Sequence, residues 1–291
     1  MDNVLGKQLV LSNDKVTAMI NYHGAELRSL AKNGKEYMWQ ANPEFWGRTS
    51  PVLFPFVGQV AEGKYRVDGK EYAMGQHGFA RDMDFELEAA DSTSCSFVLK
   101  SNEETKAKYP FDFILRIGYE LKGEELKVKW EVENPADEKL EFSIGAHPAF
   151  NCDLSKTSIV ISNDGKGLDS IVNSVFGKGL LTDKKETVSL DKGLMKLDVH
   201  SFDKDAFVIE DSQADCVDIL DETGEKVLSV KFTSPLVGIW SPPGKNAPFL
   251  CIEPWYGRTD KEGFTGDITE REWNNTLEPG AKFEVEYSIV V

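Results

Sequence analysis

The chain has 291 residues, with 33 lysines and arginines against 49 aspartates and glutamates, a formal net charge of −16. That acidity argues against a nucleic-acid backbone or an anionic membrane surface as partner, since both need a dense basic face, but it leaves room for an anionic small molecule held by a local arginine cluster. Hydrophobic residues at 41% and charged residues at 28% exclude wholesale disorder, and residues 1–291 are read as one large domain.

Along the chain, Met1-Asp2-Asn3-Val4 lacks the basic start and apolar stretch of a secretory leader, so no signal peptide is expected. No apolar run approaches the ~20 residues of a membrane-spanning helix. Leu27 to Met38 reads as a hairpin turning at Asn33-Gly34, and Lys64 to Met74 as one turning at Asp68-Gly69. Asn102 to Lys108 is a short helix candidate stopped by Pro110. Phe113 to Leu121 and Leu126 to Val132 alternate at period two around Lys122–Glu125. Residues 163–195, rich in Gly, Asp and Lys, read as a long excursion. Cys216 to Leu220 and Lys226 to Phe232 form another hairpin, Thr269 to Trp273 one or two helical turns, and Phe283 to Val291 a closing strand. No strand–long helix–strand alternation occurs. The expected fold is therefore all-β, a large antiparallel β-sandwich. Cys95, Cys152, Cys216 and Cys251 show no metal or redox spacing and are expected to be reduced thiols in a cytoplasmic protein.

Polar residues inside otherwise apolar stretches mark the candidate chemistry. His147 lies in Ser143-Ile-Gly-Ala-His-Pro-Ala-Phe-Asn151, where Pro148 holds its backbone extended. It is either a positioned proton-transfer group or a buried imidazole satisfied by a carbonyl. Glu253 ends the apolar run Phe249-Leu-Cys-Ile252, where an ionised carboxylate is costly unless partnered. It reads as a base facing a cleft or as the partner of Arg258. His77 and Arg81, in Gly75-Gln-His-Gly-Phe-Ala-Arg81, look like ligand-holding groups. Arg48, between Phe45-Trp46 and Pro51, offers a fork of donors for hydroxyls or an anion. His23 and His200 read as structural or surface residues. No metal-ligand spacing, Gly-x-Ser-x-Gly elbow or phosphate loop is present.

In this order, Arg48 with Phe54-Pro55, His77-Gly-Phe-Ala-Arg81, Gly145-Ala-His-Pro-Ala-Phe-Asn151 and Glu253-Pro-Trp255 resemble the aldose 1-epimerase (galactose mutarotase) family, in particular its LacX-like branch. The resemblance spans nearly the whole chain. It implies the family's supersandwich fold, with Glu253 as general base, His147 as general acid, and His77 and Arg48 holding the sugar. The family also uses an aspartate between acid and base in sequence. Asp205 is the candidate, with Asp203 as the alternative. No cofactor is implied; the partner is a small-molecule sugar, and the protein is expected to be a monomer or homodimer. Pro148-Ala149 and Trp255 depart from the usual family pattern, which leaves the sugar open. The reaction implied is α/β interconversion of a hexose through the open chain. A hexose-6-phosphate 1-epimerase, using Arg48, Arg81 and Arg258, and a non-catalytic sugar binder are the alternatives. Glu253 is expected ionised and His147 protonated, about a sugar-ring width apart and beyond the ~3 Å of a direct hydrogen bond.

Overall fold

The computed structural model of the chain describes residues 6–291; the Met1–Val4 segment lies outside the described residues. Two large sheets dominate, one of ten strands and one of eight, both built from antiparallel pairings. At the centre of the ten-stranded sheet, Ile114–Lys122, Glu125–Glu133 and Lys282–Val290 lie side by side. Their buried and part-exposed residues alternate, as expected of strands with one face on the core. The eight-stranded sheet runs Leu181–Ser189, Ser170–Phe176, Phe207–Ile209, Leu236–Trp240, Phe249–Tyr256, Ile144–Ala146, Val52–Leu53. Ala149–Asn151 also pairs with Phe249–Tyr256.

The inner faces of the two sheets share one apolar core, with Leu115, Ile117, Val128 and Ile289 from one sheet and Val237, Ile239, Leu250 and Ile252 from the other. Rings interlock across the gap: Tyr256 meets Trp130 and Phe283 edge-on at 6.3 and 5.2 Å. This is the expected β-sandwich. A four-stranded sheet of Gln8–Ser12, Val16–Asn21, Leu27–Lys32 and Lys35–Glu36 adds to the same core.

The hairpins at Asn33-Gly34, Asp68-Gly69, 122–125 and 221–225 form as expected. The helix Glu103–Lys108 is capped by Asn102, whose side chain accepts from the Thr105 N–H at 3.0 Å. Two expectations are corrected. Thr269 to Trp273 is not a helix: a single 3₁₀ turn, Ile268–Glu270, ends at Arg271, whose guanidinium is drawn to Asp260 at 2.7 Å. Residues 163–195 are not a loop excursion. They contain Lys166–Gly167, Ser170–Phe176, Leu181–Ser189 and Leu194–Lys196, which lie at or beside the sheet margins. Among the described residues no helix is long and apolar enough to cross a membrane. The four cysteines are free thiols.

Candidate active site

The strand Phe249–Tyr256 is buried along almost its whole length, because both of its faces are covered. Leu250 and Ile252 point into the core between the sheets. Phe249, Cys251 and Trp255 belong to apolar clusters on the opposite face. Period two therefore puts Glu253 on that opposite face. It sits in mid-strand rather than at the strand's end, and it does not pair with Arg258. That arginine is held by Glu210 at 2.7 Å and by Glu272.

His147 is placed by a break in the neighbouring strand. Ile144 and Gly145 pair with Tyr256 and Trp255, and Ala149 to Asn151 pair with Cys251 to Phe249. The break at His147-Pro148 falls opposite Ile252 to Pro254, where proline offers no N–H to the ladder. The imidazole turns towards Glu253, with Nε2 3.3 Å from Oε2. Trp46 stacks on its face at 4.7 Å, while Trp240 and His77 stand edge-on at 5.4 and 5.5 Å. Two glycines make room for the indole of Trp255. A Cβ at Gly238, which faces Glu253 across the ladder, would lie 2.5 Å from the ring, and one at Gly145 2.7 Å from it.

His147 and Glu253 line a cavity of about 410 Å³ with Trp46, His77, Arg81 and Asp205. His77 is locked from two directions. Its N–H donates to the Gly58 carbonyl at 2.8 Å, and its Nδ1 accepts from the Gly58 N–H at 3.0 Å. The ring proton therefore sits on Nε2. Asp205, two residues before Phe207–Ile209, accepts from the Ala206 N–H at 2.8 Å and raises the pKa of Glu253 by its charge. Asp203 instead pairs with His200 at 3.0 Å, both exposed. Arg48 is not among the cavity-lining residues; its guanidinium pairs with Asp82 at 2.8 Å, and its charge lowers the pKa of His77 and His147. Two arginines stand in the wall: Arg258, held by Glu210 and Glu272, and Arg81, which donates to the Gln76 carbonyl at 2.6 Å.

Only 1% of Glu253 and 7% of His147 is exposed. Burial, then the Asp205 charge, raises the Glu253 pKa well above the carboxylate range. Burial, then Arg81, pushes His147 down to about 3. Burial thus favours neutral forms of both groups, opposite to the expected ionised Glu253 and protonated His147. Their separation corrects the expected ring-width gap: the two side chains abut. Glu253 Oε2, His147 Nδ1 and Trp255 Nε1 have no hydrogen-bond partner among the described residues. Buried polar atoms left open in a cavity wall are places where ligand hydroxyls can bind. Trp46 and Cys251 carried no polar signal in sequence and are brought to His147 only by the fold.

A family model described as aldose 1-epimerase matches residues 7–290. The chain is 33% identical over 263 residues to the chromosomal LacX protein of Lactococcus lactis, covering 85% of this chain and 87% of that one. The solved structure of a galactose mutarotase related enzyme from Lactobacillus acidophilus superposes with a TM-score of 0.91 at 33% identity, covering 98% of this chain and 97% of that one. A galactose mutarotase-like protein from Lactobacillus casei gives 0.90 at 28%, covering 98% and 99%.

Proposed function

The chain belongs to the aldose 1-epimerase family, and on that premise we propose that it interconverts the α and β anomers of a free hexose, with Glu253 and His147 as the proton-transfer pair. The observation that carries this reading is the 3.3 Å approach of the two side chains in the wall of a sugar-sized cavity. Mutarotation needs a proton taken from the anomeric hydroxyl and another delivered to the ring oxygen as the C1–O5 bond breaks. Both oxygens are bonded to C1, so acid and base belong side by side rather than across the ring. The open aldehyde then turns about C1–C2 and closes on its other face, with both transfers reversed.

The pair holds one proton throughout. A sugar hydroxyl donating to the carboxylate favours the ionised form of Glu253 and leaves the proton on His147, which suits Glu253 as base and His147 as acid. The Nε2–H of His77 and the carboxylate of Asp205 are the matching donor and acceptor for ring hydroxyls. The indole rings of Trp46, Trp240 and Trp255 suit the sugar's C–H face.

Hexose 6-phosphates are the second reading, favoured by Arg81, whose nearest carboxylate contact is 3.7 Å away at Asp82. Arg48 and Arg258, the other cations considered for a phosphate, are already paired. That favours the unphosphorylated sugar. A panel of freshly dissolved α-anomers, free and 6-phosphorylated, followed by polarimetry tests this. Acceleration of at least one free hexose above its spontaneous rate is expected. Sugar binding without acceleration of any member would make the protein a binder instead.

A further inference from the structure

Cys251 and Glu253 lie two residues apart on one face of the same strand, and the break at Pro148 swings His147 over them. A ring nitrogen of His147, the Cys251 sulfur and a Glu253 carboxylate oxygen all lie within 4.8 Å of one another, and all three residues are buried. We propose that this trio binds a thiophilic divalent cation of the zinc class, in competition with the sugar. The competition rests on the proposed function above; the binding itself does not.

Thiolate, imidazole and carboxylate are the donor set that zinc takes, and three protein ligands with a fourth open position are a common arrangement. Bonds of about 2.0–2.3 Å to a four-coordinate ion leave neighbouring donors roughly 3.3–3.8 Å apart. The His147–Glu253 edge is already 3.3 Å, and the Cys251 sulfur, within 4.8 Å of both donors, completes the triangle by moving towards them. Oε2 of Glu253 is buried with no hydrogen-bond partner among the described residues, so that oxygen is open to an ion. The adjoining cavity leaves the fourth position open to water. Cys251 gives up its thiol proton and Glu253 its carboxyl proton on binding. Two protons leave as the dication enters, and the site ends without net charge. With both groups committed to the metal, neither can serve the sugar.

The site is tested on the full-length reduced protein with cobalt(II), which reports thiolate ligation by a charge-transfer band in the near-ultraviolet. The band should appear on titration, vanish when zinc is added, and be absent from both Cys251→Ser and Cys251→Ala. Cys95→Ser, on the remote ten-stranded sheet, should retain it. A saturating responsive hexose should move the cobalt midpoint upward at least tenfold. No band in the wild-type protein, or a band unchanged in both Cys251 variants, would overturn the site. An unmoved midpoint in the presence of bound sugar would overturn the competition. Failure of every sugar to mutarotate would count against the proposed function while leaving the cobalt band to decide the metal site.

Discussion

At the scale of single residues, Glu253 and His147 sit where water is nearly excluded, so burial opposes every charged state of the pair. Adding a second proton makes the pair cationic, and removing the last makes it anionic. The one-proton state is therefore favoured over a wide pH range, and its limits belong to the pair rather than to either residue. The expected kcat/KM profile, which reports the free enzyme, is a broad plateau. Its acid limb should lie below the ordinary histidine range and its basic limb above the ordinary carboxylate range. Polarimetry across pH 4 to 9, corrected for spontaneous exchange, checks this. A rate that falls as pH rises through about 6.5 would mean that an ordinary protonated histidine does the work. Glu253, His147 and His77 stood out in the sequence because each is polar beside apolar or structurally awkward neighbours; Asp205 was offered only by the family resemblance, with Asp203 as the alternative. Arg48 is not among the cavity-lining residues, since its guanidinium pairs with Asp82, 34 positions away in sequence, but its charge still acts on His77 and His147. Cys251 and Trp46 were invisible as site neighbours because apolar surroundings look alike whether they face a core or a cavity.

At the scale of elements, the central strand Phe249–Tyr256 and its neighbour Leu236–Trp240 set the floor of the site. Gly238→Ala would push a methyl into the Trp255 ring, 2.5 Å away, on the face that carries Glu253. Overpacking of this kind costs about 1–3 kcal/mol. Thermal denaturation should show the lower stability, and the anomerisation rate should fall with it. A variant as stable and as active as wild type would mean that the indole is free to move. Strands with one buried face, such as Ile114–Lys122 and Glu125–Glu133, were readable because their alternation survives in the sequence. Leu181–Ser189 was not. It lies at the edge of its sheet with most side chains exposed, and its Asp-Lys-Lys-Glu run is the charged dressing that edge strands carry. The helical turns expected over Thr269 to Trp273 stop after the 3₁₀ turn Ile268–Glu270, because Arg271 turns extended and pairs with Asp260.

At the scale of the whole molecule, the net charge of −16 surrounds a cavity whose acid and base are neutral at rest. A neutral hexose approaches without electrostatic steering, so kcat/KM for it should hardly change between low and physiological ionic strength. A hexose phosphate meets repulsion from the acidic surface, and its kcat/KM should rise as salt screens that field. A fall with salt would instead show that Arg81 and its surroundings attract the anion. The measurement that bears most directly on the central claim is the anomeric exchange rate of the responsive hexose for Glu253→Gln against wild type. It should be taken at saturating sugar, with binding of the sugar to both proteins verified. The amide keeps the shape of the side chain but cannot accept the proton. A general base contributes ~10²–10⁴-fold, so the variant should lose about that factor while still binding the sugar. A variant that binds and exchanges the sugar as fast as wild type would contradict the assignment of Glu253 and the mechanism built on it.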